Sequence, residues 1–237
     1  MLILASSSPR RRELLTQAGY TFRIHPAHIP EDPLPSEDPI AYVTRLARQK
    51  AEAVFAQLSN PTTSSGPTTS VDTPEPALSQ SKALASDPTN AGAPGLASET
   101  WEGTSVDRHL VVLGADTTVT LDNHILGKPE NAEDAARMLR LLSGRTHRVI
   151  TGVAIVSATQ QQVAAEVTAV QFLSISEEEI QAYIATGEPS DKAGAYAIQG
   201  RAARWIPRVE GCYFNVVGLP IALVSTLLDQ HFPATQL

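Results

Sequence analysis

The chain has 237 residues, of which 42% are hydrophobic, and a formal net charge of −7. This size and composition allow one or two domains with a sizeable core, and the negative charge argues against nucleic acid or an anionic membrane as the main partner. A single cysteine, Cys212, excludes an internal disulfide and fits a reducing compartment. Because the sequence shows neither a signal-peptide pattern nor an apolar run of membrane-spanning length, we expect a cytoplasmic protein.

The first predicted elements are a strand, a helix and a second strand. Residues 2–4 are short and apolar, which is typical of a buried strand. Ser8 occupies an N-cap position, and a helix is predicted over residues 9–18 with Ala18 on its buried side. Residues 20–24 alternate apolar and polar side chains and predict a second strand near the first.

The start of this helix combines three serines, residues 6–8, with three arginines, residues 10–12. Cations in the first turn oppose the helix dipole, so the cluster favours anion binding over helix stability. The alternative is a solvated basic face. Because the cluster directly follows a predicted strand, we favour a phosphate site.

A long second helix is predicted over residues 38–57, after a proline-rich turn that contains Glu31. Its predicted apolar stripe consists of Ile40, Val43, Ala47 and Val54. Lys50 falls on the same stripe. A lysine that faces inward either extends its ammonium to the rim or meets a bound anion, and we slightly favour the second interpretation.

Residues 58–107 differ in composition from the rest of the chain. Of these 50 residues, 33 are Ser, Thr, Pro, Gly or Ala. Such a segment cannot bury enough apolar surface to offset the entropy lost on ordering it. We therefore predict a low-complexity, disordered insertion into a single domain made of residues 1–57 and 108–237.

The central stretch of the sequence carries a candidate acid and a candidate base. Residues 110–113 are an apolar run typical of a buried strand, and the Gly-Ala pair that follows predicts a turn. Asp116 would then lie at the carboxyl end of the strand, where open α/β sheets place their sites. Residues 118–126 predict a hairpin that returns Lys128 beside it. The alternative is that Asp116 caps a turn and Lys128 is a solvated loop lysine.

The second half of the chain is predicted to complete an α/β fold. Helices are expected after Asn131, Ser176 and Pro220, and strands over residues 149–156, 163–173, 205–209 and 213–217. A polar cluster over residues 191–200 surrounds a charged pair with small residues and includes Gln199. This pattern indicates close approach of the backbone to a ligand. A glycine-rich loop with a surface ion pair is the alternative.

Basic groups beside carboxylates, without a recognisable nucleophile, restrict the chemistry. The sequence has no Walker A loop, CxxC pair, nucleophile-elbow serine or HExxH helix. These features fit metal-assisted attack of water on a phosphoanhydride. In such a site cations neutralise the phosphates, and a carboxylate positions or deprotonates the water.

Eight sequence blocks are distributed over the chain outside residues 58–107: Ser6-Ser7-Ser8-Pro9-Arg10-Arg11, Leu46-Ala47 through Lys50-Ala51, Gly114-Ala115-Asp116-Thr117, Gly127-Lys128-Pro129, Ser143-Gly144, Thr146-His147, the stretch from Asp191 to Gln199, and Val217-Gly218-Leu219-Pro220. Together and in this order they resemble the Maf family of nucleoside triphosphate pyrophosphatases. The resemblance implies an α/β fold with a mixed, elongated central sheet flanked by helices, and a cleft between two lobes. It also implies hydrolysis of a nucleoside triphosphate to the monophosphate and pyrophosphate with a divalent metal cation, Mg²⁺ or Mn²⁺.

The resemblance assigns expected roles to individual residues. Asp116 matches the general base of the family and, together with Glu31, a metal position. The expected substrate-binding residues are Ser8, Arg10, Arg11, Lys50, Thr117, Lys128 and Gln199. The expected partner is therefore a nucleoside triphosphate, with a homodimer as a further possibility and with no nucleic-acid or membrane partner.

Three positions bear on the substrate. Arg10, Thr117 and Gln199 are similar to the residues of family members that prefer dTTP and UTP, which implies a role in clearing unwanted nucleotides from the pool. A glutamine can offer a donor and an acceptor to a pyrimidine edge. The alternatives are a pyrophosphatase for 7-methyl-GTP or another modified nucleotide, and a nucleotide-binding regulator of septum formation.

The sequence departs from the family pattern in three places. Gln49 stands where many relatives have a glutamate, so a metal role for that carboxylate is absent. Ala197 replaces a common glycine, which predicts strain if the loop needs a positive φ. The insertion over residues 58–107 is unusual and is expected to hinder or modulate dimer contacts.

Overall fold

A seven-stranded mixed sheet forms the centre of the computed structural model, which describes residues 1–59 and 110–230. Its strands are β1 (Leu2–Leu4), β2 (Phe22–Ile24), β3 (Val111–Leu121), β4 (His124–Leu126), β5 (Thr146–Ser157), β6 (Gln161–Gln171) and β7 (Arg208–Glu210). The strand order is β2-β1-β3-β5-β6-β7, and β4 pairs with β3. Strand β1 runs parallel to β2 and β3, whereas the other pairs are antiparallel. The expected mixed α/β architecture is confirmed.

Six α-helices accompany the sheet within the described ranges: α1 (Pro9–Gln17), α2 (Pro39–Ser59), α3 (Ala132–Leu142), α4 (Glu177–Ile184), α5 (Tyr213–Val217) and α6 (Ile221–Asp229). Short 3₁₀ helices cover Glu188–Asp191, Ala193–Ala195 and Arg201–Trp205. The helix predicted after Ser176 is present, and Ser176 and Glu179 form a complete capping box at its start. None of the described helices is both long and apolar enough to cross a membrane.

The two faces of the sheet are covered by different helices. Side chains of α1, α3, α4 and α6 form one core with Val111, Leu113 and their neighbours. Helix α2 covers the opposite face, where it packs on Val112 and Ala154. The alternation along β3 therefore sends successive side chains into separate cores, as strand geometry requires.

Two glycines allow α2 to approach the sheet closely. A Cβ added at Gly114 of β3 would lie 2.1 Å from the carbonyl oxygen of Ala47, and one at Gly152 of β5 would lie 2.3 Å from that of Val43. Any larger residue would force the helix away from the strands. The small residue at position 114 therefore serves helix packing rather than the turn that the sequence predicted.

The predicted turn before Asp116 is wrong. Strand β3 continues without interruption to Leu121, and Asp116 pairs with Gly152 of β5. Strand β1, however, ends at Leu4, opposite Leu113. Asp116 thus lies just beyond the carboxyl end of the parallel neighbour while its own strand continues, because β5 supplies hydrogen bonds along the whole length.

Four smaller expectations also need correction. Ala18 is exposed because it lies past the last residue of α1. Ile40 is 42% exposed because Tyr42, Val43 and Leu46 provide the buried face at this end of α2.

The segment predicted as a strand over residues 213–217 is helix α5, where Asn215 is fully buried and donates to Val149 and Thr168 across the sheet. The strand predicted over residues 205–209 is largely replaced by a 3₁₀ helix before the short β7.

The predicted insertion lies almost wholly outside the described residues. Its first two positions, Leu58 and Ser59, belong to the last turn of α2. The division of the chain into residues 1–57 and 108–237 around an insertion stays a prediction.

Candidate active site

All nine residues predicted for the site line one cleft of about 600 Å³. They come from five separate parts of the fold: the start of α1, the turn before α2, α2 itself, β3 with its hairpin, and the segment before β7. These residues are Ser8, Arg10, Arg11, Glu31, Lys50, Asp116, Thr117, Lys128 and Gln199. Residues that are up to 191 positions apart are therefore neighbours in space, and the structure brings every predicted position together.

A lysine between two carboxylates combines two buried side chains and one half-exposed side chain of the cleft. The Nζ atom of Lys50 lies 2.7 Å from Oδ1 of Asp116 and 2.6 Å from Oε1 of Glu31. Lys50 and Asp116 are 7% and 8% exposed, whereas the Glu31 side chain is about half exposed. Buried ion pairs contribute little net stability because removing the charges from water is costly. This arrangement is therefore better suited to chemistry than to stabilising the fold.

The carboxyl group of Glu31 is held in its ionised form. Partial burial alone would raise its pKa, but the hydrogen bond from Lys50 and the positive charges of Lys50, Lys128 and Arg11 lower the pKa below its ordinary value. A carboxylate that stays ionised can accept hydrogen bonds or bind a cation across the whole physiological pH range.

Helix α2 positions both members of the Lys50–Glu31 pair. Its Tyr42 hydroxyl donates to the backbone carbonyl of Glu31 at 2.8 Å, and Arg45 donates to the carbonyl of Asp32 at 3.1 Å. Arg45 also makes two 2.7 Å hydrogen bonds to Glu37. Burial, followed by the nearby carboxylates, raises the pKa of Tyr42 to about 12, so this tyrosine remains a hydrogen-bond donor.

Arg11 is fixed by the protein itself. Its guanidinium donates to the carbonyls of Ala115 at 2.8 Å and Gly218 at 2.9 Å, to Oγ1 of Thr117 at 3.1 Å and to Oγ of Ser6 at 3.2 Å. Burial lowers the pKa of Arg11, with the nearby carboxylates opposing the effect. The side chain consequently braces α1 against β3 and the end of α5, and its positive charge remains beside the carboxylates.

The start of α1 is arranged differently from a standard N-cap. Ser8 stands at the predicted N-cap position, but its side chain makes no capping hydrogen bond. Its own backbone amide donates to Oγ of Ser6 at 3.2 Å. The Ser8 side chain therefore leaves the amides of the first turn of α1 uncapped. This positive end of the helix lines the cleft together with Arg10.

The remaining predicted residues lie on loops at the rim. Lys128 follows β4 and is exposed, and its neighbour Gly127 accepts a 3.0 Å hydrogen bond from the amide of Gly194. Gln199 is exposed on the segment between two 3₁₀ helices. This hydrogen bond joins the loop that carries Lys128 to the segment that carries Gln199.

The strain predicted at Ala197 is wrong. Ala197 does not have a positive φ, whereas Ala195 does, with φ of 59°. The Ala197 amide donates to the Tyr183 hydroxyl at 3.1 Å, which fixes the backbone without a left-handed conformation. At the position where many relatives have a glutamate, the Gln49 amide oxygen accepts from Arg45 at 3.3 Å.

The residues that line the cleft but were not among the predicted site residues include two with polar side chains of interest, Tyr42 and Lys192. Tyr42 precedes Lys50 by eight positions, and this spacing places both on one helical face. That signal was available in the sequence. Lys192 belongs to the polar cluster singled out above, but its charge pattern did not distinguish it from a surface ion pair.

The acidic residues of the cleft suit a hard divalent cation. Mg²⁺ typically takes one or two carboxylates and completes its shell with substrate phosphates and water. Glu31 and Asp116 provide two such groups, and no set of three or more His, Cys, Asp or Glu side chains suitable for a metal occurs within residues 1–59 and 110–230. The donor set therefore fits a cation that arrives with a phosphate substrate.

The fold and the cleft together define an α/β protein whose cleft combines carboxylates with basic side chains. The chain belongs to the Maf family, since the family model described as Maf-like protein matches residues 1–231. It is 44% identical over 227 residues to a dTTP/UTP pyrophosphatase of Koribacter versatilis, covering 96% of this chain and 92% of the relative. It is also 43% identical over 231 residues to a dTTP/UTP pyrophosphatase of Pelotomaculum thermopropionicum, covering 97% and 95%, and 42% identical over 230 residues to one of Chromobacterium violaceum, covering 97% and 93%.

Proposed function

We propose that this protein hydrolyses dTTP and UTP to the nucleoside monophosphate and pyrophosphate, and so removes these nucleotides from the pool. The observation that carries the proposal is the Glu31–Lys50–Asp116 group in a cleft that is also lined by basic side chains. Relatives over 40% identical across nearly the whole chain bear the name dTTP/UTP pyrophosphatase. Arg10, Thr117 and Gln199, which match the pyrimidine-preferring pattern, line the same cleft.

In the proposed reaction Asp116 acts as the general base. Its carboxylate accepts a proton from a water molecule, whose oxygen forms a new bond to phosphorus as the bond to the bridging oxygen between the α- and β-phosphates breaks. The electron pair of the broken bond leaves with the departing phosphate oxygen. Lys50 holds the carboxylate in position through its 2.7 Å hydrogen bond.

The cations of the cleft neutralise the triphosphate. Arg10 and Lys128 lie on the rim, where they can contact phosphate oxygens, while Arg11 lines the cleft as a positive charge fixed by its hydrogen bond to the Ala115 carbonyl. Ser8 and the amides at the start of α1 add hydrogen-bond donors. Preorganised donors of this kind stabilise charge that develops in the transition state.

We further propose that Glu31 and Asp116 hold a divalent cation, Mg²⁺ or Mn²⁺. When bound, such a cation supplies Lewis-acid neutralisation of the phosphate chain. Lys50 contacts both carboxylates, so it limits their mutual repulsion in the free enzyme.

A substrate panel tests the proposed function. The full chain is incubated with dTTP, UTP, CTP, ATP, GTP and 7-methyl-GTP, each with Mg²⁺, with Mn²⁺ and with a chelator, and pyrophosphate release is measured. The highest kcat/KM is expected for dTTP and UTP, and the chelator should abolish turnover. Preference for 7-methyl-GTP would contradict the assignment, and nucleotide binding without turnover would favour a regulatory protein.

Location and partners complete the proposal. A single free cysteine fits the reducing cytoplasm, where nucleoside triphosphates are abundant. The net charge of −7 argues against nucleic acid as a partner. A homodimer is also proposed, and sedimentation of the full chain would test it.

A further inference from the structure

The charged side chains of the cleft fall into two groups. Lys50, Asp116 and Glu31 form the first, where the anhydride chemistry is proposed. Arg10, Asp191 and Lys192 form the second: the hydrogen bond from Lys192 lowers the pKa of Asp191, and the charge of Arg10 adds to the effect. The apolar lining contributed by the segment around Lys192 consists of Ala193, Tyr196, Ala197 and Ile198. The second group therefore lies on a segment whose own apolar side chains suit contact with a nucleobase.

The Lys192 ammonium group has more hydrogen-bond donors than its side-chain partner uses. Its side chain is 15% exposed and lines the cleft. An ammonium group carries three donors, and within the described residues its only side-chain partner is the neighbouring Asp191, whose own side chain is 73% exposed. A largely buried lysine with one solvated partner is expected to have a further acceptor when the cleft is occupied.

The neighbouring carboxylate determines which acceptor suits Lys192. The ammonium charge of Lys192 is already partly balanced by Asp191, whose carboxylate also repels a phosphate and so weakens the attraction of Lys192 itself for one. A neutral carbonyl oxygen meets no such repulsion. Thymine and uracil each carry two carbonyl oxygens, and Gln199 on the same segment can supply both a donor and an acceptor to the base edge.

We propose that Lys192 is a substrate-contacting residue that donates a hydrogen bond to a carbonyl oxygen of thymine or uracil, beside Gln199. This inference rests on the proposed dTTP and UTP activity. Lysine is a donor only, so the contact rewards a base with a carbonyl acceptor and not one with an amino group at the same place.

The segment that carries Lys192 is held firmly enough to present it. The Lys192 amide donates to the carbonyl of Pro189, and the Lys192 carbonyl accepts from Ala195. Where the segment begins and ends, Glu188 accepts from the Tyr183 hydroxyl at 2.7 Å and from the Arg201 amide at 3.1 Å. Such preorganisation reduces the entropy lost when substrate binds.

The test separates a base contact from a phosphate contact. In Lys192→Met, kcat/KM for UTP and dTTP is expected to fall about 10- to 100-fold, the range of a lost charge-assisted hydrogen bond. Inhibition by inorganic tripolyphosphate, which has no base, should change by less than about twofold. Lys192→Arg keeps a cationic donor and should retain more activity than Lys192→Met. Arg208→Met removes an exposed cation paired with Glu210 on β7 and is the matched control.

Binding measurements make the outcome independent of turnover. Calorimetry with α,β-methylene UTP on the wild type and Lys192→Met should show affinity lost in the variant at an unchanged thermal midpoint. A parallel loss of tripolyphosphate inhibition would overturn the proposal in favour of a phosphate contact, and unchanged UTP kinetics would leave Lys192 a surface ion pair. A wild type that binds the analogue through Lys192 but hydrolyses neither nucleotide would refute the proposed function alone. Absence of analogue binding would refute both.

Discussion

At the scale of single residues, Lys50 joins the two carboxylates on which the proposed chemistry depends. Removing one partner of a buried ion pair is destabilising when the remaining charge is left alone. Here each carboxylate can be changed without isolating the lysine, because the other still lies within 2.7 Å of Nζ. The effects of Asp116 on catalysis and on stability can therefore be separated.

Asp116→Asn keeps the shape of the side chain and removes the charge that accepts a proton. Turnover of dTTP should fall about 10²- to 10⁴-fold, as is usual when a general base is lost. The thermal midpoint should change little because Lys50 keeps its ion pair with Glu31. The control is Asp122→Asn, which changes an exposed carboxylate in the β3–β4 turn, where φ of 51° is readily adopted by asparagine. An Asp116→Asn variant that melts lower but turns over normally would show that Asp116 is structural.

Gln199→Glu replaces an amide donor by a charge at the rim of the cleft. We expect kcat/KM for dTTP to fall more than that for 7-methyl-GTP, because the pyrimidine carbonyl loses its donor. Steady-state kinetics on both nucleotides check this, with Gln17→Glu on the exposed end of α1 as the control. Equal losses on the two substrates would mean that Gln199 does not determine base preference.

The sequence predicted residues that line one cleft, but not the contacts that each of them makes. The basic and hydroxyl cluster at the start of α1 predicted a phosphate site, and Ser8, Arg10 and Arg11 line the cleft. It did not predict that Arg11 would be occupied by carbonyl groups of Ala115 and Gly218, because these acceptors are 104 and 207 positions away along the chain. Every residue also has a backbone carbonyl, so residue types do not indicate which carbonyls will accept a side-chain hydrogen bond.

At the scale of elements, the packing of α2 on the sheet sets the distance between Lys50 and Asp116. Gly114→Ala would bring a Cβ to within 2.1 Å of the Ala47 carbonyl oxygen, so the helix must move. We expect a lower thermal midpoint together with reduced turnover. Gly127→Ala is the control for stability, since an added Cβ there meets nothing within 4 Å. Wild-type stability and activity in Gly114→Ala would show that α2 is not held this closely.

A second element-scale prediction concerns the aromatic cluster of His147, Phe172 and Tyr196. His147 packs edge-on against Phe172 and Tyr196, and its Nε2 lies 2.8 Å from the Tyr196 hydroxyl. Burial lowers its pKa from 6.5 to about 4. Between these values the unfolded chain binds more protons, so stability falls as the pH decreases from about 6.5 to about 4, by roughly 3 kcal/mol at most.

Urea denaturation at pH 7 and pH 4.5 checks this pH dependence. His147→Gln keeps a polar group for Tyr196 but cannot titrate, so its stability should depend less on pH than that of the wild type. His124→Gln changes an exposed histidine and serves as the control. If His147→Gln and the wild type lose the same stability between the two pH values, the buried imidazole is not responsible.

Elements were predicted best where local signals and tertiary contacts agree. Strand β1 and the helix after Ser176 follow directly from apolar runs and capping residues. The course of β3 through Asp116 was missed because Gly-Ala is a turn signal locally, whereas here the glycine accommodates α2. Helix α5 was missed because its valines favour strands, while buried Asn215 and the left-handed Gly218 decide its conformation.

At the scale of the whole molecule, the cleft is assembled from parts that lie on both sides of residues 60–107 in the sequence. Replacing residues 60–107 with a Gly/Ser linker should preserve the thermal midpoint and dTTP turnover, because the composition of that segment cannot support a core. Both quantities are measured on the full chain and the deletion variant. Loss of folding in the variant would show that the segment contributes to the domain.

The most direct measurement identifies the products formed from dTTP by the wild-type chain with Mg²⁺. Ion-exchange chromatography resolves dTMP, dTDP, pyrophosphate and orthophosphate over a time course. Hydrolysis of the anhydride between the α- and β-phosphates predicts dTMP and pyrophosphate in equal amounts from the first time point. Formation of dTDP and orthophosphate, or the absence of any product, would contradict the proposed reaction.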